Sequence, residues 1–131
     1  MKHLAPTEAH ELLQSTPDAV LVDVRMAVEF DYVGHPPAAV NIPWYEFPDY
    51  KPQPAAFVER VRQATGGRTD SPVVLLCRSG LRTIDAGVAL EKAGFSRVIN
   101  VLDGFEGELD DNDQRGREGG WRFEGLPWVQ S

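Results

Sequence analysis

This chain of 131 residues is poor in cysteine, lysine and methionine: it has one Cys, three Lys and two Met. A single thiol, Cys77, cannot close an intrachain disulfide, build a thiolate metal cluster or form an internal redox pair. His3 and His10 lie too far from any cysteine or second ligand to suggest a metal site, so neither metal nor cofactor is expected. Long apolar runs are missing as well. The start, Met1-Lys2-His3-Leu4-Ala5-Pro6, has no apolar segment of signal-peptide length. No stretch approaches the roughly 20 apolar residues of a membrane span. The expected location is a reducing cytoplasm, with no membrane partner. Positive charge is scarce too: 13 Lys and Arg stand against 20 Asp and Glu, a net charge of -7. Nucleic acids and anionic membrane surfaces select basic faces, so neither is an expected partner. The cations that are present are mostly Arg, whose rigid fork suits oxyanions, although codon bias accounts equally well for those at the surface.

What is there suits one ordinary domain with a real core, at 42% hydrophobic and 25% charged residues. Pro6 to Gln14 reads as a helix with proline at its first position and Glu8 in the first turn. Val20 to Val24 reads as a buried strand, Ala27 to Tyr32 as a short helix, and Ala39 to Ile42 as a short strand between proline-rich breaks. Trp44 to Pro54 is a connector with aromatic anchors. Pro54 to Thr65 is a helix with Phe57, Val58 and Val61 on its apolar side, stopped by Gly66-Gly67. Strand 73–76, helix 82–93 and strand 97–102 follow. Strands alternating with helices predict an α/β fold: a small, mainly parallel, roughly five-stranded sheet with helices on both faces. Residues 108–131 change character. A polar, glycine-bearing stretch leads to Trp121, Leu126 and Trp128, so this C-terminal extension is expected to pack back on a single domain spanning 1–131.

The chain centres on Cys77-Arg78-Ser79-Gly80-Leu81-Arg82, between strand 73–76 and helix 82–93. In α/β sheets the crevice beyond the carboxyl strand ends is where chemistry sits. Backbone amides at the turn and the positive end of the following helix favour a thiolate over a thiol, and Arg78 and Arg82 add positive charge. Gly80 permits a backbone conformation that a side chain would block. A lone cysteine after a buried strand is also a common inert core residue. The arginines and the glycine around Cys77 favour the reactive site.

The loop resembles the active-site loop of rhodanese-domain sulfurtransferases. The resemblance extends to Leu21-Val22-Asp23-Val24-Arg25 with Glu29-Phe30, to the box Gly34-His35-Pro36-Pro37-Ala38-Ala39-Val40-Asn41-Ile42-Pro43, and to Val101-Leu102-Asp103-Gly104-Phe105. It covers about residues 4–107. Pro36 and Ala38 stand where that box ordinarily has Ile and Gly. The resemblance implies a thiosulfate sulfurtransferase. Cys77 takes a sulfane sulfur from thiosulfate or a persulfide, becomes a persulfide, and passes the sulfur to cyanide or a thiol. The loop amides of Arg78, Ser79, Gly80, Leu81 and Arg82 would hold the terminal sulfur, and Arg82 would bind the sulfonate of thiosulfate. Arg78 either contacts the donor or only raises the local potential. With one cysteine, unloading needs an outside thiol: glutathione, thioredoxin or a sulfur-carrier protein. A non-catalytic binding or redox-sensing module is the alternative. Phosphatase or arsenate-reductase chemistry is disfavoured, because those loops place the arginine one position later, where this chain has Thr83.

Other residues have two readings each. Asp23 lines the pocket or accepts loop amides. Arg25 lines the pocket or pairs with Glu29 at i+4. His35 acts as a base or fixes a turn through backbone bonds. Trp44, Tyr45 and Phe47 wall the entrance or belong to the core. Asp85, in the first turn of the catalytic helix, stabilises the helix dipole.

Overall fold

Strand β4, Val73–Leu76, is buried along its whole length and lies at the centre of a five-stranded sheet. The computed structural model describes residues 1–130. In chain order the elements are β1 (Lys2–Leu4), α1 (Pro6–Ser15), β2 (Val20–Asp23), β3 (Val40–Asn41), α2 (Pro54–Ala64), β4, α3 (Arg82–Lys92) and β5 (Val98–Val101). The sheet order is β1-β5-β4-β2-β3, and every ladder is parallel. The central strands read as unbroken apolar runs because helices cover both of their faces.

The pleat sorts β4 between two cores. Val73, Leu75 and Cys77 point to a layer shared with Phe57, Val58 and Val61 of α2 and Ala86 and Leu90 of α3. Val74 and Leu76 point to the other layer, with Ala9 of α1, Phe105 and Trp121. Burying each aliphatic side chain of this kind contributes roughly 1.5–3 kcal/mol. The architecture is therefore the expected α/β sheet with helices on both faces.

The structure adds one strand that the sequence did not announce and changes the form of one helix. The N-terminal Lys2–Leu4 forms an edge strand on β5. Its polar residues carry no strand pattern, because an edge strand is wetted on one side. The short helix expected over 27–32 is present from Ala27, but it widens to a π-helix at Glu29–Val33, and Gly34 at φ +107° ends it.

The segment after 108 is anchored on the body at several points. Trp121 is buried, its amide donates to the Gly104 carbonyl at 2.8 Å, and its Nε1 donates to the Pro127 carbonyl at 2.8 Å. Val129 and His35 exchange backbone hydrogen bonds of 2.8 and 2.9 Å. Among the described residues, no helix is long and apolar enough to cross a membrane.

Candidate active site

β4 carries Cys77 to its carboxyl end, and α3 starts at Arg82. The thiol is 1% exposed. Its Sγ accepts the Gly80 amide at 3.0 Å and lies 3.7 Å from Thr83 Oγ1. Gly80 holds φ +98°, a left-handed value that strains any residue with a β-carbon. The Ser79 and Leu81 amides donate to no backbone acceptor among the described residues. The Gly80 amide on the sulfur and the positive end of the α3 dipole both favour negative charge there. The loop can hold negative charge on, or next to, the cysteine.

The loop rests on the turn that follows β5. The Phe105 amide donates to the Cys77 carbonyl at 2.7 Å, and those of Glu106 and Gly107 donate to the Arg78 carbonyl at 2.9 and 3.2 Å. Gly104, at φ +62°, lies so close that a β-carbon would strike the Cys77 and Arg78 carbonyls. Arg78 is thus fixed through its backbone, while its side chain and that of Leu81 are exposed and Ser79 is half-buried.

Asp23 and Arg25 are both fully buried. Arg25 Nε and Nη2 donate to Asp23 Oδ1 and Oδ2 at 2.9 and 2.7 Å, and Nη2 also donates to the Gly34 carbonyl at 2.7 Å. The guanidinium lies 4.6 Å from the centre of the Phe105 ring, directly behind the turn that carries the loop. The expected i+4 pair between Arg25 and Glu29 is therefore not made. Helical turns begin only at Ala27, so Arg25 has no i+4 face. As strand-end residues two apart, Arg25 and Asp23 share one side of the chain. His35 bonds the Pro36 carbonyl through Nδ1 at 2.8 Å and stacks on Phe30 at 3.6 Å. Those are the contacts of a turn.

Glu29 instead meets Arg82. Nη1 and Nη2 of Arg82 donate to Oε1 and Oε2 of Glu29 at 2.6 and 2.8 Å, and the two side chains are 15% and 14% exposed. Burial pushes the Glu29 carboxyl up, but the hydrogen bond and charge of Arg82, the Met26 amide and the Arg25 charge outweigh it and hold it below its ordinary value. Burial pushes Arg82 down, and its bond to Glu29 and the negative charge around it more than reverse this. Tyr45 lies against the guanidinium, 5.4 Å from its Cζ, whereas Trp44 packs edge-on to Phe57 in the core and Phe47 is exposed. The three aromatics thus divide between rim, core and surface.

Sequence reasoning missed two partners of the loop: Glu29 on Arg82, and Asn100, which accepts the Thr83 hydroxyl at 2.5 Å. Asn100 did carry a signal, as a polar residue inside the apolar run of β5.

A family model for the rhodanese-like domain matches residues 5–109. The chain belongs to the rhodanese-like domain family. The crystal structure of Rv0390 from M. tuberculosis is 39% identical and superposes with a TM-score of 0.86, covering 100% of this chain and 98% of that one. The polysulfide-sulfur transferase homodimer of Wolinella succinogenes is 27% identical, with a TM-score of 0.65 over 100% of this chain and 80% of that one. An uncharacterized protein of Rickettsia conorii is 28% identical over 133 residues, covering 98% of this chain and 97% of its own length. The span matched by the rhodanese-like model holds Cys77, its loop and the 103–107 turn, and stops short of the segment anchored through Trp121.

Proposed function

We propose that this rhodanese-like chain is a sulfurtransferase in which Cys77 carries sulfane sulfur as a persulfide. The observation that carries the reading is the Cys77 Sγ at the head of α3 with the Gly80 amide on it at 3.0 Å. The relative from Wolinella succinogenes, named a polysulfide-sulfur transferase, supports it. The Cys77 thiolate attacks the outer sulfur of thiosulfate or a persulfide. The donor's S–S bond breaks, and its electron pair leaves on sulfite or a thiol. The loop amides stabilise the negative outer sulfur, Arg82 is the guanidinium that a sulfonate end would have to win from Glu29, and Arg78 raises the local potential. Cyanide or a thiol then attacks the outer sulfur and restores the Cys77 thiolate. Glutathione, thioredoxin or a sulfur-carrier protein in a reducing cytoplasm would serve as the thiol.

The test is direct. A sulfur donor should add one sulfur atom to the intact protein by mass spectrometry, and cyanide should remove it as thiocyanate. Cys77→Ser should abolish both, and a variant that still turns over would sink the nucleophile assignment. The burial of Cys77, 1% exposed, favours a second reading: a rhodanese-like module that binds partners or senses oxidants. A wild-type protein that takes up no sulfur from thiosulfate or any persulfide, yet loses its thiol to hydrogen peroxide, would favour that module.

A further inference from the structure

The fork that a sulfonate would need is already closed by a carboxylate. The Glu29–Arg82 contacts of 2.6 and 2.8 Å form a bidentate pair, the arrangement that satisfies a guanidinium best. Glu29 is itself fixed, because its Oε1 accepts the Met26 amide at 3.2 Å. The Tyr45 ring lies against the guanidinium. Both charged groups are largely covered, so water screens the pair weakly. To an arriving dianion the pair is neutral. Thiosulfate must either displace Glu29, leaving a mostly buried carboxylate unpaired, or react without Arg82. A persulfide with an uncharged organic end meets neither demand. The loop also offers it apolar surface, since Leu81 is 72% exposed.

We propose that Glu29 determines donor specificity: by holding the Arg82 fork it turns the Cys77 site away from sulfonate-ended donors and toward organic persulfides with an uncharged end. This rests on Cys77 being the sulfur carrier. In the favoured step the Cys77 thiolate attacks the outer sulfur of R–S–S–H. A new S–S bond forms on Cys77 and the bond between the two donor sulfurs breaks. The electron pair leaves on the R–S sulfur, which takes the proton from the transferred sulfur. Sulfane sulfur changes carrier with no net oxidation or reduction.

Glu29→Gln keeps the side-chain shape and removes the charge. Thiosulfate binding, measured by calorimetry in a Cys77→Ser background, reads the fork without the transfer. Adding Glu29→Gln should tighten binding about tenfold, because it removes a like charge, and adding Arg82→Ala as well should cancel the gain. With Cys77 intact, Glu29→Gln should raise the ratio of kcat/KM for thiosulfate over that for ethyl persulfide by about tenfold. Equal binding with and without Glu29→Gln, a gain that survives Arg82→Ala, or an unchanged ratio in an enzyme that uses both donors would each overturn the proposal. Should Glu29→Gln not fold, Glu29→Ala serves the same comparison. If binding tightens but neither donor loads Cys77, the carrier reading fails and the role of Glu29 in closing the fork stands.

Discussion

The Thr83 hydroxyl donates to Asn100 Oδ1 at 2.5 Å while sitting 3.7 Å from the Cys77 sulfur. Its only hydrogen is committed to β5, so its lone pairs face the thiol. Asn100 Nδ2 donates in turn to His3 Nδ1 at 3.1 Å, which ties the edge strand β1 to the cysteine through two buried polar groups. Thr83→Val conserves shape but strips Asn100 of its donor. Leaving that buried carbonyl unsatisfied should cost about 1–3 kcal/mol. Thr83→Ser keeps the hydroxyl and should cost clearly less. Urea unfolding midpoints measure both, and equal losses would show that packing rather than the hydrogen bond holds this contact.

The turn behind the loop predicts a second, sharper effect. A β-carbon on Gly104 would come within 2.6 and 2.7 Å of the Arg78 carbonyl carbon and oxygen. The turn must then retreat, and the Phe105 and Glu106 amides that hold the Cys77 and Arg78 carbonyls retreat with it. Gly104→Ala should cost upwards of about 2 kcal/mol and lower sulfur loading of Cys77 at least tenfold. Gly94 is the control: its φ is +99°, and a β-carbon there would meet nothing within 4 Å. Gly94→Ala should cost only the backbone strain, about 1–2 kcal/mol, with loading unaffected. Similar loading in the two variants would show that the turn does not position the loop.

These contacts mark where sequence reasoning stops. β4 is legible because four apolar residues in a row can only be buried, and the loop is legible because its cysteine, glycine and arginines sit side by side. β1 is not, because Lys2 and His3 at a wet edge look like any polar terminus. The partner of Arg82 is 53 residues away and is brought to it by the fold alone. A local rule assigns Glu29 to Arg25, and it fails because the chain is not helical at Arg25. The pleat, by contrast, gives Arg25 to Asp23.

That buried pair should be strongly coupled. Asp23→Ala leaves the Arg25 guanidinium buried with the Gly34 carbonyl and the Phe105 face, and its Nη1 already lacks a partner among the described residues. An uncompensated buried charge of this kind costs about 3–5 kcal/mol, so the melting temperature should fall by about 10 °C or more. Asp23→Ala with Arg25→Met removes both charges and should lose much less than the sum of the single variants. Additive losses, measured by thermal unfolding, would show that the two side chains contribute independently.

The Glu29–Arg82 pair makes a prediction about pH whose sign follows from the carboxyl. Glu29 titrates lower in the folded chain than its ordinary 4.5. Its contribution to stability is therefore complete above that ordinary value and is lost as pH falls through the lower, folded one. Glu29→Gln has no such contribution to lose. The wild type should be the more stable protein near neutral pH, and the gap between the two should close as the buffer is taken from pH 5 toward pH 3. Arg82 stays charged across this range, so only the carboxylate changes state within the pair. Acid titration of every other group cancels when the two proteins are compared under the same conditions. Urea midpoints that run parallel for both proteins from pH 7 to pH 3 would mean that Glu29 gains nothing from Arg82 on folding.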